Sequence, residues 1–291
     1  MTALVTGGSS GIGLEYARQL AGRGYDLFIV SNQSDRLDAA AVAIEREFGV
    51  AVHPLFMDLS REGCAGRLFA WCDEQDLSID VLVNNAGIYF MQYLGPESAD
   101  RVQTMLELHV CTATELCILF GSRMKERGSG YILNMSSVTA RIPAPGIAVY
   151  SASKAYLSSF GRGFSYEMRP FGVTVTTVCP AAVDTGLYNQ GPGLRRYGRR
   201  LGLIVSPERL VRRALRGMFK GRRTVGPGFA GSLLPLLVGL LPASLIDRLG
   251  LRLIYRYTPF FLSRSFPCVK FGTAVILGGA RRTAAHSSPQ C

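Results

Sequence analysis

Short continuous apolar runs alternating with amphipathic helical stretches constrain this chain more than any other feature of its sequence. Ala3–Thr6, Asp26–Ser31, Val50–Met57, Asp80–Asn84, Tyr131–Met135 and Val173–Val178 are strand candidates. Helical spacing falls between them, at about 14–21, 36–48, 62–75, 97–127 and 149–169. Runs that are apolar throughout, rather than at alternate positions, mark strands buried on both faces of a parallel sheet. Right-handed crossovers then predict an α/β chain with a doubly wound parallel sheet. With 48% hydrophobic and 18% charged residues, the chain has material for a large core, which excludes a disordered protein.

In such a sheet, ligands bind beyond the carboxyl ends of the strands. Thr6-Gly7-Gly8-Ser9-Ser10-Gly11-Ile12-Gly13 stands at the first of those ends and opens a helix. Its glycines permit a tight turn and close approach of a pyrophosphate, and the helix start supplies N–H donors. Asp58 after the third run and Asn84-Asn85-Ala86-Gly87 after the fourth add polar groups at neighbouring ends. Each alone could be ordinary turn chemistry. Together with the first turn they outline a cleft for a dinucleotide.

Ser136-Ser137 ends the fifth run, and Tyr150-Ser151-Ala152-Ser153-Lys154 opens the next long helix. Residues four apart share one helical face. An ammonium near a phenol favours the phenolate, which suits a general acid/base working near neutral pH. A hydroxyl from the adjacent strand end could hydrogen-bond a substrate oxygen.

On these residues the chain resembles the short-chain dehydrogenase/reductase (SDR) family. It carries that family's T-G-x-x-x-G-x-G at Thr6–Gly13, its N-N-A-G at Asn84–Gly87, and a Ser followed 13 residues later by Tyr-x-x-x-Lys. The resemblance covers about residues 1–190. It implies a Rossmann fold of about seven strands, with Ser137, Tyr150 and Lys154 catalytic; the spacing prefers Ser137 over Ser136. It also implies that Gly7, Ser9, Ser10, Gly11, Ile12 and Gly13, with Ser31, Asn32, Asp58, Asn85, Ala86 and Gly87, bind the cofactor together with Tyr150 and Lys154. The family's P-G-x-V-x-T appears as Pro180-Ala181-Ala182-Val183-Asp184-Thr185, adding Pro180, Val183 and Thr185 to the cofactor set.

Two positions depart from the family pattern. Where most members have an Asn that holds a water in the proton relay to Lys, this chain has His109, within Leu106-Glu107-Leu108-His109-Val110. Either this is a helix residue satisfied by a nearby carbonyl, or it supports the relay in place of Asn. The second is the expectation here, so His109 joins the catalytic set. At the end of the second strand, Ser31, Asn32, Gln33 and Ser34 offer no acid to repel a 2′-phosphate, and Arg36 could swing back toward it. NADP is therefore expected over NAD.

Charge divides the chain. Residues 1–193 hold 14 Lys/Arg against 19 Asp/Glu, whereas residues 194–291 hold 18 against 2. Ser206-Pro207-Glu208 starts a helix with Leu210, Ala214, Leu215 and Met218 on one side and arginines around the rest. Thr224–Ile246 then runs 23 residues without a charge, but Pro227, Pro235 and Pro242 argue against a membrane span. Two short helices, Ser232–Leu241 and Ala243–Arg256, are expected instead. The predicted domains are 1–228, a catalytic domain with a substrate lid at about 184–223; 229–258, an apolar and basic helical extension; and 259–291, a tail.

Basic residues beside apolar helices suit an anionic membrane surface, or equally a solvated face or a dimer contact. No recognition motif accompanies the charge, so nucleic acid is not an expected partner. Seven cysteines without a C-x-x-C pair fit a reducing, cytoplasmic setting, and three separated histidines give no metal site. No basic segment followed by an apolar run opens the chain, so no signal peptide is expected. The functional expectation is an NAD(P)-dependent oxidoreductase interconverting a ketone and a secondary alcohol. Its substrate would be hydrophobic or lipid-like, such as a 3-oxoacyl group, and family resemblance implies a homodimer or homotetramer. The competing reading is a non-catalytic nucleotide sensor or membrane-associated scaffold that kept the fold.

Overall fold

Each apolar run becomes a strand. In a computed structural model that describes residues 1–142, 145–183 and 204–226, with Pro242 and Leu245, the chain begins β1 (Thr2–Thr6), α1 (Gly11–Ala21), β2 (Asp26–Ser31), α2 (Ser34–Phe48) and β3 (Val52–Phe56). It continues through α3 (Cys64–Glu74), β4 (Val81–Asn84), α4 (Ala99–Leu106), α5 (Ala113–Arg127), β5 (Gly130–Met135), α6 (Ala148–Met168) and β6 (Val173–Val178). Then follow β7 (Ala182–Val183), β8 (Ile204–Val205), α7 (Pro207–Phe219) and β9 (Thr224–Val225). Thr185, most of the expected lid and the predicted helices around Pro242 fall outside the described residues, as does the tail.

Seven strands form one parallel sheet in the order β3-β2-β1-β4-β5-β6-β9. The strand order reverses beside β1, so the crevice between the ends of β1 and β4 is the topological switch point where this architecture binds ligands. Strand residues alternate between two layers. Ala3, Val5, Leu27, Ile29 and Leu133 pack against α1, α2 and α7; Leu4, Phe28, Val30, Leu82 and Ile132 pack against α3, α5 and α6. Burial on both faces accounts for the apolar runs of β1, β2, β4, β5 and β6, whereas edge strand β3 keeps only Val52 fully buried.

A two-stranded parallel pair, β7 with β8, stands beside the main sheet. Two residues per strand are too few to leave a periodic signal in the sequence.

The expected helix at 97–127 is not regular. α4 and α5 are joined by a wide π-type turn, Glu107–Thr112, with His109 inside it. The stretch Pro96–Arg127 is long and apolar enough to cross a bilayer, but half of its most apolar window is buried within this fold. It acts as a core crossover, with α5 packing on α3 and β5.

α7 forms as its cap predicts. The Ser206 hydroxyl accepts the Arg209 N–H, Pro207 fills the first turn, and Leu210, Val211, Ala214, Leu215 and Met218 are buried. Arg209, Arg212, Arg213, Arg216 and Lys220 are exposed on the opposite face.

Candidate active site

The site starts with a staple between two strand ends. The Thr6 hydroxyl accepts the backbone N–H groups of Asn85 and Ala86, both at 3.0 Å, and donates to the Val83 carbonyl at 3.3 Å. The Asn85 amide donates in return to the Thr6 carbonyl at 3.1 Å. These bonds join β1 to β4 where the sheet order reverses. Gly7 turns the chain with φ +68°, a conformation costly for any residue with a side chain. Gly13 lies within α1 and faces the turn, not the cleft. A β-carbon there would strike the Gly7 carbonyl, so its part is close packing of helix on turn.

A cleft of roughly 600 Å³ opens over these strand ends. Gly7, Ser9, Ser10, Gly11 and Ile12 line one side, with Ser31, Asn32 and Asp58 beyond them. Asn85, Ala86 and Gly87 form the floor. His109, Ser137, Tyr150 and Lys154 line the far end, beside Pro180 and Val183.

Lys154 is buried, and its ammonium donates to the Met135 carbonyl at 3.0 Å. Burial pushes its pKa down to about 8. It lies 5.7 Å from the centre of the Tyr150 ring. Tyr89 packs edge-on against that ring, with centroids 5.0 Å apart.

The adjacent serines have different partners. Ser136 donates its hydroxyl to the Lys154 carbonyl at 2.6 Å, holding α6 on β5. Ser137 accepts from Thr139 twice, from the backbone N–H at 3.2 Å and from the hydroxyl at 2.9 Å. A hydroxyl that accepts two bonds still has its own proton to give.

His109 is 1% exposed. Its Nε2 accepts the Ile88 N–H at 3.0 Å, and its Nδ1 is 3.0 Å from the Ser153 hydroxyl. Burial first, and the Lys154 charge second, hold its pKa well below the ordinary histidine range. Both ring nitrogens are thus engaged by groups other than Lys154. Gly87 allows the approach, since a β-carbon there would sit 2.8 Å from Nε2.

Two residues outside the expected set belong to the site: Thr139 orients Ser137, and Ser153 links His109 to the Tyr150 carbonyl. Arg36, which the sequence suggested could swing toward a 2′-phosphate, lines the cleft beside Gln33. A Ser-x-Thr spacing could have pointed to Thr139; the Ser153 contact depends on tertiary folding alone.

The polar groups fit a dinucleotide. α1 has no acid in its first turn, and its N-cap Ser10 makes no side-chain cap, so first-turn N–H donors and the helix dipole face the cleft. Ser9 and Ser31 hydroxyls bond each other at 2.8 Å at the end of β2. Hydrogen bonds from Ser60 hold the Asp58 carboxyl below its usual pKa, leaving it an anionic acceptor. Among the described residues, no cluster of metal-binding side chains occurs.

A family model described as short chain dehydrogenase matches residues 1–191. The chain is similar to 17-beta-hydroxysteroid dehydrogenase type 3 of Danio rerio, 32% identical over 230 residues, covering 77% of this chain and 72% of that one. It is also similar to very-long-chain 3-oxoacyl-CoA reductase of Anas platyrhynchos, 35% identical over 190 residues, covering 63% of this chain and 60% of the relative. Among solved structures, a short-chain dehydrogenase from Sphingobium yanoikuyae in complex with NADPH aligns with a TM-score of 0.70 at 29% identity, covering 91% of this chain and 98% of that one. The bulky-bulky ketone specific alcohol dehydrogenase from Comamonas testosteroni aligns with a TM-score of 0.68 at 25% identity, covering 91% and 96%.

Proposed function

The chain belongs to the short-chain dehydrogenase family and is an NAD(P)-dependent oxidoreductase; from that premise we propose that it interconverts a ketone and a secondary alcohol on a hydrophobic, lipid-like substrate such as a 3-oxoacyl group. The observation that carries this reading is the gathering of Ser137, Tyr150 and Lys154 at one end of a cleft whose other end is a phosphate cradle. A bound nicotinamide supplies the hydride.

The chain's own groups do the rest. Ser137, with both lone pairs taken by Thr139, points its remaining donor at the substrate oxygen. Tyr150 gives or takes the hydroxyl proton. The Lys154 ammonium, anchored by the Met135 carbonyl, holds the nicotinamide ribose and keeps a positive charge near the phenol. Tyr89, Phe90 and Met105 back Tyr150 as a packed apolar cluster, and Ile88, Leu108, Met135 and Val183 line the cleft, which supports a carbonyl carried on hydrocarbon. The named activities of the relatives, a hydroxysteroid dehydrogenase and a 3-oxoacyl-CoA reductase, support the same substrate class.

NADP is the preferred cofactor in this reading. The end of β2 offers Ser31, Asn32 and Gln33 without an acid, and Arg36 lines the cleft within reach of a 2′-phosphate. Residues 1–228 act as the catalytic body, with about 184–203 as its lid; α7, which the expected lid of 184–223 included, instead packs in the core against α1 and the sheet. The exposed Ile118 and Tyr156 on α5 and α6 are the apolar surface that a second copy would cover in a homodimer or homotetramer. The exposed arginines of α7 and the uncharged run after them suit an anionic membrane surface.

Purified protein should oxidise NADPH when given long-chain 3-oxoacyl thioesters or bulky ketones, and Tyr150→Phe should stop this while leaving cofactor binding intact. Cofactor binding with no turnover across a panel of carbonyls would favour the scaffold reading instead.

A further inference from the structure

We propose that His109 is a positioning residue, a two-point clamp that fixes the segment carrying Tyr150 against the Asn84–Gly87 loop. Its Nε2 holds the loop through the Ile88 N–H, and its Nδ1 holds the backbone of Tyr150 through the Ser153 hydroxyl. This rests on the catalytic reading of Tyr150 above and adds a role to a side chain that stands where the family usually has Asn.

Proton bookkeeping leaves one arrangement. The Ile88 amide can only donate, so Nε2 presents its lone pair and the ring proton sits on Nδ1. The Ser153 hydroxyl donates its one proton to the Tyr150 carbonyl at 2.8 Å and therefore accepts from Nδ1. Every donor in the row meets an acceptor only if the imidazole is neutral. The surroundings agree: burial disfavours an imidazolium, and the Lys154 charge packed on this end of the cleft disfavours it further. With both nitrogens occupied, neither is open to exchange a proton with Lys154.

The clamp spans distant parts of the chain. Ile88 lies 21 residues before His109 and Ser153 lies 44 after it. Ile88 adjoins Gly87 on the cleft floor, while Tyr150 lines the far wall. The imidazole thereby sets the distance between the cofactor floor and the acid/base. Its ring also packs edge-on to Tyr150, with centroids 5.9 Å apart.

Three variants separate the two contacts. His109→Gln places an amide near the Nε2 position but reaches no partner at Nδ1; Ser153→Ala removes the second contact alone; His109→Leu removes both. Amide hydrogen exchange at Ile88, read on the folded protein, does not require turnover. It should stay slow in His109→Gln and Ser153→Ala and become about tenfold faster in His109→Leu, as expected for one lost hydrogen bond. In assays with NADPH and a turned-over ketone, kcat should fall about tenfold in all three, with the pH profile unchanged in shape. The cofactor KM should rise only in His109→Leu. Wild-type exchange at Ile88 in His109→Leu, or wild-type kcat in Ser153→Ala, would overturn the clamp. So would a displaced pH limb in His109→Leu, which is the mark of a relay. If wild type turns over no carbonyl, the catalytic reading fails, while the exchange at Ile88 still decides the loop contact.

Discussion

Thr139 gives both of its donors to Ser137, the N–H at 3.2 Å and the hydroxyl at 2.9 Å. The two residues form a local turn in which the serine oxygen accepts twice, so its own proton has no local acceptor in this turn and is directed outward. Thr139→Val keeps the shape of the side chain and removes one of the two bonds. We expect kcat to fall about tenfold with little change in cofactor KM, on the scale of one hydrogen bond of about 1 kcal/mol. Steady-state kinetics with saturating NADPH would show it, and an unchanged kcat would mean that Ser137 needs no such guide.

Lys154 should cost stability where it supplies chemistry. Its pKa falls from 10.5 to about 8 on burial, and each unit corresponds to roughly 1.4 kcal/mol. The penalty on the charged form is fully present below pH 8. It is relieved as pH rises from about 8 toward 10.5, where the unfolded chain still holds the proton and the folded one has lost it. Lys154→Met should therefore be inactive yet more stable than wild type by roughly 2–3 kcal/mol near pH 7, allowing for the bond lost to the Met135 carbonyl. Denaturant titrations should show this advantage shrinking above pH 8. In the same range, wild-type kcat/KM should decline as the free enzyme loses the Lys154 charge.

Arg36 lines the cleft, and the proposed preference for NADP rests on it. Arg36→Glu should raise the KM for NADPH at least tenfold and leave that for NADH within about threefold, since only NADPH carries the 2′-phosphate that a carboxylate would repel. Initial rates with both cofactors provide the comparison. Equal losses for the two would place Arg36 outside the ribose subsite.

The exposed face of α7 makes a prediction about surfaces. Arg209, Arg212, Arg213, Arg216 and Lys220 lie on that face, and none appears in an ion pair with a described residue. Sedimentation with vesicles should show binding to phosphatidylserine mixtures and little to neutral lipid, with loss at high salt. Replacing Arg209, Arg212 and Arg216 by Glu should abolish that binding without changing kcat on a soluble ketone. Equal binding to neutral vesicles would assign the interaction to apolar residues instead.

What could be read from residues alone follows from how locally each feature is encoded. β2 and β6 match their apolar runs residue for residue, because burial on both faces leaves an unbroken signal. The strand-end chemistry was legible as well, since this sheet brings every carboxyl end to one edge. The partners of His109 were not, because Ile88 and Ser153 come from other elements and only the fold brings them together. The wide turn at Glu107–Thr112 was also hidden, since its residues keep helical spacing and differ only in hydrogen bonding. Gly13 looked like a ligand contact because it belongs to the motif, yet its constraint is the backbone of Gly7 behind it.

That wide turn has a consequence for how the gene can change. A π-type turn holds one residue more than the regular helix around it. Deleting one residue from Glu107–Thr112 would let the segment close as regular α-helix. Because five residues at about 100° each turn as far as six of the wider coil, α4 and α5 would keep their faces, with Leu116 and Phe120 still toward the core. What would be lost is the local widening that carries His109. The helix thus gives up some of its own hydrogen bonding here to place one imidazole, and a deletion at this point would remove the site feature while sparing the scaffold.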